Sequence, residues 1–392
     1  MRAFYVEADW APKPGYKLSK RELETKRAMR GNSIFKNIRG SVVDRPQPGI
    51  GPDEALLKIG AAGICGTDAH LLRKDDDGYT RYDGHSRYPI VTGHEFSGTV
   101  VEVGANVTSL KEGDLVAVES MHWCGECDAC RRGFFNQCRN LDEPGLTFDG
   151  GFAEFAAIKA RHCYTLNDLK SYYGDDVSAL EQGAMIEPVG VAYNGLFVCG
   201  GLQRPGGHAA VFGAGPVGLA AVALLKAAGV GKLFCFETTP ERQKLARDLG
   251  ADHIVNPVAM TEKGEDPAEF LMDMTNGQGI RTFAECAGAN PATYPIMEGA
   301  LGIGGKTCQI GHRVGKTPVD MYKFMWNAAR VSGSNGQSGC GIYPDVINLM
   351  AAGRIDMRKA ITGRVSLENI QEGLDRSSRG AAGKILVSAR YT

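Results

Sequence analysis

The chain has 392 residues, 44 basic against 45 acidic side chains (formal net charge -1), 43% hydrophobic and 23% charged residues. The balanced charge, with no lysine or arginine run, argues against nucleic acid and anionic membrane as partners. Eleven cysteines in so long a chain, behind an N-terminus with no apolar leader, argue against a secreted disulfide scaffold and for a cytoplasmic protein of two domains.

In chain order, residues 8–40 are polar and lysine-rich without periodicity, and predict an extended or partly helical elaboration. GTVVEVG near residue 100 and DLVAVES near residue 116 are β-branched runs bounded by glycine, which predict strands of a compact β domain with long functional loops. From about residue 190 the rhythm changes. Short apolar strands (HAAVF, KLFCFE, HIVN, RTFAECAG, KTCQIG, ARVSGS) alternate with helix-length segments, the pattern of a doubly wound parallel sheet. The apolar window 209–230 reads as a buried strand and helix, not a membrane span. The last fifty residues hold two helix-like stretches and a strand, GKILVSA. The expected organisation is a β-rich domain over 1–190, a dinucleotide-binding domain over 191–336 and a return to the first domain over 337–392.

Four thiols in the pattern Cys124-x2-Cys127-x2-Cys130-x7-Cys138, at about 120–140, have the spacing of a closed structural Zn2+ site. A disulfide knot or a lobe that has lost its metal are the alternatives. Gly213-Ala214-Gly215-Pro216-Val217-Gly218 follows a strand and opens a helix, the context of a dinucleotide-binding turn. The first glycine permits the turn, the second admits the pyrophosphate, and the third lets helix and strand approach. Glu237 ends the next strand, where a carboxylate accepts ribose hydroxyls of NAD and repels the extra phosphate of NADP. Arg242 is placed to stack near the adenine. A surface glutamate is the alternative for Glu237. Three further stretches, GICGTDAH (63–70), GHEFSG (93–98) and Glu187-Pro188, offer cysteine, histidine and glutamate for an open three-ligand zinc shell.

In this order, GICGTDAH, GHEFSG, the four-cysteine lobe and GAGPVG resemble the zinc-dependent medium-chain alcohol and polyol dehydrogenases over about residues 41–392. The resemblance implies a GroES-like catalytic domain followed by a Rossmann domain, two Zn2+ per chain and NAD, with NADP less favoured. It implies that Cys65, His94 and Glu187 bind the catalytic zinc, with Glu95 an adjacent carboxylate able to enter the shell. It casts Thr67 as the acceptor of the substrate proton, Asp68 as an acid behind the ligands and His70 as the outer end of a proton relay. A helix cap is the alternative for Thr67, and a hydrogen-bonded surface histidine for His70. Glutamate at 187, in place of a cysteine ligand, is similar to the polyol branch.

The polar stretch LLRKDDDGYTRYDGHSRYP (71–89) lengthens the Cys65–His94 spacing relative to most of the family, and Trp123 offers a flat face for a ring. Together with the long N-terminal segment and SGSNGQSGCGIYP, the stretch resembles the scyllo-inosose and sugar dehydrogenase branch. That implies a polyhydroxy small-molecule substrate and a homodimer or homotetramer. L-threonine or a simple secondary alcohol as substrate, or a noncatalytic dinucleotide-binding sensor, are the other readings. The Cys65, His94, Glu187 and Thr67 set argues against the sensor. Cys163, Cys199, Cys235, Cys286, Cys308 and Cys340 are expected as small buried apolar groups, and His85, His122, His162, His208, His253 and His312 have no expected metal role.

Overall fold

A computed structural model describes residues 1–392 except 203–204, 314, 381–382 and 392. The chain divides into two compact units. The first comprises Met1–Glu187, Ile361–Arg379 and Lys384–Thr392, and the second Pro188–Ala360 and Gly380–Gly383. Among the described residues no helix is long and apolar enough to cross a membrane.

The first unit is built on a seven-stranded sheet. Its order is Ile361–Ser366, Lys384–Ser388, Glu54–Gly63, Glu95–Val103, Leu115–Val118 and Cys163–Thr165, with Phe155–Lys159 also paired to Glu54–Gly63. Glu54–Gly63 is buried at nearly every position, so its apolar run EALLKIGAAG reads as a central strand. The register sets up the site. Gly63 lies opposite Glu95, and the C-terminal strand meets the same end at Leu386. Residues 65, 94, 95 and 384 therefore converge at one corner. A side chain at Gly63 would collide with the Glu95 carboxylate, so glycine leaves room for that corner to close.

A second, three-stranded antiparallel sheet (Phe35–Asp44, Arg2–Trp10, Ile90–Val91) gives the N-terminal segment its extended part. Between these strands, the short helix Lys20–Thr25 starts at a Ser19–Glu22 capping box. The elaboration is thus extended and partly helical.

The second unit is a six-stranded, all-parallel sheet. Its order is His253–Val255, Leu233–Phe236, Ala209–Phe212, Ile280–Glu285, Leu301–Gln309 and Arg330–Gly333. Four-residue apolar strands such as AAVF and LFCF are buried throughout, as strands covered on both faces must be. Phe212 stacks on Phe236 with ring centroids 4.4 Å apart, in a core that also holds Phe234, Phe283 and Met297.

The return to the first unit begins at Ile361, not near 337. Residues 337–360 belong to the second unit because the helix Ile342–Ala351 buries Ile342, Tyr343, Val346, Ile347 and Met350 there. The turn after it is tied down by Lys359 Nζ donating to the Asp248 carbonyl at 3.0 Å. The expectation for the remaining cysteines needs a correction. Cys163, Cys235 and Cys308 are buried, but Cys286 is only partly so, and Cys199 and Cys340 are exposed. Cys286 follows the end of a strand, Cys199 ends the helical turn Asn194–Cys199, and Cys340 precedes the helix Ile342–Ala351, so none of the three lies in a core strand.

Candidate active site

The strand Glu54–Gly63 ends two residues before Cys65, and the helix Gly66–Leu72 starts just after it. Across the sheet, His94 and Glu95 open the next strand. One ligand atom each from Cys65, His94 and Glu95 lies within 4.8 Å of the other two. A sulfur, an imidazole nitrogen and a carboxylate oxygen at that separation fit a borderline-soft cation such as Zn2+. Asp68 supports the arrangement. Its Oδ2 accepts from the Cys65 N–H at 2.9 Å, and its Oδ1, otherwise unpartnered, lies 3.7 Å from His94 Nδ1. A carboxylate behind the second nitrogen of a ligating histidine fixes the ring and its tautomer.

Glu95 is held from behind. Lys384, fully buried in the C-terminal strand, donates to Glu95 Oε2 and to the Ile64 carbonyl. Burial works against the lysine charge, and the Glu95 and Cys65 charges outweigh it, so its pKa is raised. Glu187 sits in the helix Asp176–Tyr193, immediately before Pro188, and accepts from Ser120 Oγ at 3.1 Å. Burial pushes its carboxyl up to about 7, with the Glu95 carboxylate adding to the effect and His94, Lys384 and Ser120 opposing it. Burial likewise opposes a charged His94, but Asp68, Cys65 and Glu187 more than compensate and raise its pKa. These reciprocal shifts describe excess negative charge around one point, which a bound cation would neutralise. The close triad contains Glu95 and not Glu187, the reverse of the roles the resemblance implied, with Glu187 held by Ser120.

Thr67 is half-buried in the first turn of the helix Gly66–Leu72, and His70 is exposed near its end. Sequence reasoning missed Lys384 and Ser120. The signal for Lys384 was a charged residue heading an otherwise apolar strand, KILVS. Ser120 follows the strand LVAV directly and carried no comparable mark.

The four-thiol lobe holds its sulfurs close without a disulfide. Cys124–Cys138 and Cys127–Cys130 are 3.5 Å apart, and Cys127–Cys138 are 3.9 Å apart. Sulfurs about 2.3 Å from a tetrahedral centre stand about 3.8 Å from one another, so this lobe fits Zn2+. The N–H groups of Cys130 and Arg139 lower Cys127 to about 6, while burial raises Cys130 to about 12. Trp123 does not offer its face to a substrate ring. It packs on Phe135 (4.6 Å) with the Arg161 guanidinium over it, as part of the lobe. His162 Nδ1 lies 2.8 Å from Glu119 Oε2 and the ring stacks on His122, so both histidines are occupied in the core.

In the second unit the glycine turn has three distinct environments. Gly213 adopts φ +87°, a conformation costly for other residues. A Cβ at Gly218 would collide with the Gly213 carbonyl oxygen, so the third glycine is a packing requirement. A Cβ at Gly215 would meet only Arg242, at 3.9 Å, which leaves open space at the start of the helix Pro216–Ala227. Pro216 and Val217 form the first turn, where N–H groups without helical partners suit a pyrophosphate. Glu237 is buried and accepts from Ala214, Thr238 and Thr239 N–H groups at 2.8–2.9 Å. The structure thus brings Glu237 and Arg242 to the turn, a placement the sequence reading did not include.

Residues 51–168 match the alcohol dehydrogenase GroES-like domain model, and residues 216–352 match the zinc-binding dehydrogenase model. The chain is 38% identical over 387 residues to scyllo-inosose 3-dehydrogenase of Thermotoga maritima, covering 96% of each. It is 32% identical to L-threonine 3-dehydrogenase of Thermococcus kodakarensis, over 88% of this chain and 92% of that one. A solved Thermotoga maritima structure, a candidate alcohol dehydrogenase, superposes with a TM-score of 0.93 at 37% identity, covering 98% of this chain and 99% of that one. These matches cover both units, and the chain belongs to the zinc-binding medium-chain dehydrogenases, nicotinamide-dependent oxidoreductases that act on alcohol groups.

Proposed function

We propose that the enzyme oxidises a secondary hydroxyl of a cyclitol, or of a related sugar or polyol, to a ketone with NAD as acceptor. The observation that carries this reading is the chemistry beside the open centre. His85, in the polar stretch 71–89, meets the Glu143 carboxylate, and the loop that follows Glu143 packs at Gly145 on the backbone of Gly93, the neighbour of His94. Polar groups of that kind suit a substrate with several hydroxyls. The scyllo-inosose relative supports the same substrate class.

Cys65 and His94, with Glu95 or Glu187, would hold a zinc ion that polarises the reacting hydroxyl as a Lewis acid. The lobe Cys124, Cys127, Cys130 and Cys138 would hold a second zinc with no open position. NAD would accept the hydride of the carbinol carbon, giving ketone, NADH and a proton. The residues of the chain do the rest. Thr67 accepts the hydroxyl proton and passes it outward, toward His70. Asp68 fixes the His94 ring, and Lys384 fixes Glu95. In the second unit Glu237 takes the ribose hydroxyls, and Arg242 borders the pyrophosphate turn.

The enzyme is read as a cytoplasmic homo-oligomer. Ile303, Met321, Tyr322, Met325 and Trp326 are 63–78% exposed beside the edge strand Arg330–Gly333. An unpaired strand edge flanked by apolar side chains suits pairing with a second copy. Light scattering on the parent and on Trp326→Glu tests this. Dissociation of the variant is expected, and a monomeric parent overturns it.

The substrate test is a panel of cyclitols, aldoses, linear polyols, 2-butanol and L-threonine with NAD and with NADP, followed by reduced-cofactor absorbance. A cyclitol or sugar with NAD is expected to lead. A lead by threonine or 2-butanol overturns the substrate class.

A further inference from the structure

The stretch between the helix Gly66–Leu72 and the strand Ile90–Val91 has almost no regular structure, yet it is fastened on two sides. The N-terminal segment holds one side. Ala28 and Ser86 exchange both backbone hydrogen bonds (2.8 and 3.0 Å), Gly31 donates to the Gly84 carbonyl at 2.9 Å, and Asn32 donates to that of Tyr82 at 2.8 Å. Arg30 forks onto the Asp83 carboxylate at 2.7 and 3.0 Å. The same segment reaches the loop after the thiol lobe, where Arg27 pairs with Asp142 at 2.7 Å.

That loop holds the other side. Arg87 donates to the Leu146 carbonyl at 2.8 Å. The loop in turn lies against the residues leading into His94. Gly151 N–H bonds the Gly93 carbonyl at 2.8 Å, and a Cβ at Gly145 would come within 2.6 Å of the Gly93 backbone.

Three polar side chains gather between these supports. The Tyr82 ring folds back so that its hydroxyl lies over Gly84, where any side chain would collide with it. His85 Nε2 lies in close polar contact with the Glu143 carboxylate. The Glu143 side chain is 9% exposed and that of His85 21%, so the pair is nearly enclosed but retains an open face. Burial holds the Tyr82 pKa well above its ordinary value, with Glu143, Tyr88, Cys65 and Asp68 acting in the same direction. The hydroxyl therefore keeps its proton and can donate it to a hydrogen bond.

We infer that Tyr82 and the His85–Glu143 pair form a hydroxyl-reading subsite beside the Cys65–His94 centre, and that the N-terminal segment is the clamp that holds it. The inference rests on the polyhydroxy reading of the substrate and names the groups that recognise it. The Glu143 carboxylate accepts from ring hydroxyls and Tyr82 donates to one, while the metal-proximal groups engage the reacting hydroxyl. A vicinal, ring-borne set of hydroxyls supplies partners to Tyr82 and Glu143 as well as to the metal-proximal groups, and a mono-alcohol supplies only the reacting hydroxyl.

The test uses the zinc-loaded enzyme with NAD. Tyr82→Phe and Glu143→Gln are compared with the parent on its best polyhydroxy substrate and on 2-butanol. The ratio of the two kcat/KM values is expected to fall about 10- to 100-fold, mainly through the KM of the polyhydroxy substrate. Arg30→Ala, a solvent-side change to the clamp, should lower the ratio in the same direction by a smaller factor. It covers the case in which Glu143→Gln does not fold. Deoxy analogues add an independent reading, because a hydroxyl whose removal weakens the parent should matter less to Tyr82→Phe. Equal losses on both substrates, or an unchanged ratio, overturn the subsite alone. A parent that prefers 2-butanol to every cyclitol, sugar and linear polyol overturns the substrate reading and the subsite together.

Discussion

Lys384 and Glu95, 289 residues apart in the chain, meet as a fully buried ion pair at the edge of the candidate metal centre. The pair couples the C-terminal return to the site, because Lys384 also holds the carbonyl of Ile64, the residue before Cys65. Replacing the lysine by methionine keeps the volume but strands a buried carboxylate. Lys384→Met is expected to lose about 3–5 kcal/mol of unfolding free energy, with a lower zinc content. Adding Glu95→Gln should restore part of the stability and none of the metal. Urea titration with metal analysis checks both, and a single variant as stable as the parent would show that the pair carries no structural role.

The return is latched a second time. Arg364 forks onto Glu181 at 2.8 and 2.6 Å, and the Tyr391 hydroxyl donates to it at 2.8 Å. Burial opposes ionisation of Glu181, but these hydrogen bonds prevail and its folded pKa is depressed. A depressed carboxylate stabilises above its unfolded pKa, about 4.3, and loses that contribution as pH falls through the folded value. Since Arg364 is 47% exposed, the latch should be worth about 1–2 kcal/mol. Glu181→Gln should therefore be less stable than the parent at pH 7, and the gap should close toward pH 3. A gap that stays constant with pH would assign the loss to packing.

Cofactor choice is expected to follow Glu237. Its carboxylate lies on the Ala214 N–H, and the Arg242 side chain stands by Gly215. Glu237→Ser removes the charge that repels a 2′-phosphate and leaves Arg242 to attract one. The ratio of kcat/KM for NADP over NAD should rise about 10- to 100-fold, although both values should fall because three N–H groups lose their acceptor. An unchanged ratio would remove Glu237 from the ribose site.

What the sequence made legible was local. The strand–glycine turn–helix at 209–227, the four-thiol spacing and the pieces around Cys65 and His94 each carry their physical reason within a few residues, and each folds where its pattern indicated. What escaped was set by register. Lys384 meets Glu95 only because the C-terminal strand pairs with Gly63 at Leu386. The domain boundary escaped for a related reason, since the helix Ile342–Ala351 has an apolar face that either unit could have buried. Trp123 read as a flat face for a ring because its partners, Phe135 and Arg161, lie 12 and 38 residues further along the chain. Tyr82 and His85 belong to a stretch whose polarity was visible, but Glu143 carried no such mark, and only the fold brings it to His85.

The glycines of the dinucleotide turn should separate by experiment into a binding role and a folding role. At Gly215 an added methyl meets nothing closer than Arg242, at 3.9 Å, so the folded chain can accommodate it. It would, however, occupy the space at the helix start where a pyrophosphate must come within hydrogen-bond distance of the backbone. At Gly218 the same methyl collides with the Gly213 carbonyl oxygen, so helix and strand must part before any cofactor arrives. Gly215→Ala is therefore expected to keep the parent's thermal midpoint within about 2 °C while weakening NADH binding at least tenfold. Gly218→Ala is expected to lower the midpoint by several degrees, because overpacking a buried contact costs about 1–3 kcal/mol. Differential scanning fluorimetry with NADH fluorescence titration reads both quantities on each variant. If Gly215→Ala bound NADH as tightly as the parent, the cofactor would not approach this turn as the fold implies. If Gly218→Ala were as stable as the parent, the helix would have shifted to accept the methyl, and the third glycine would not be a packing requirement.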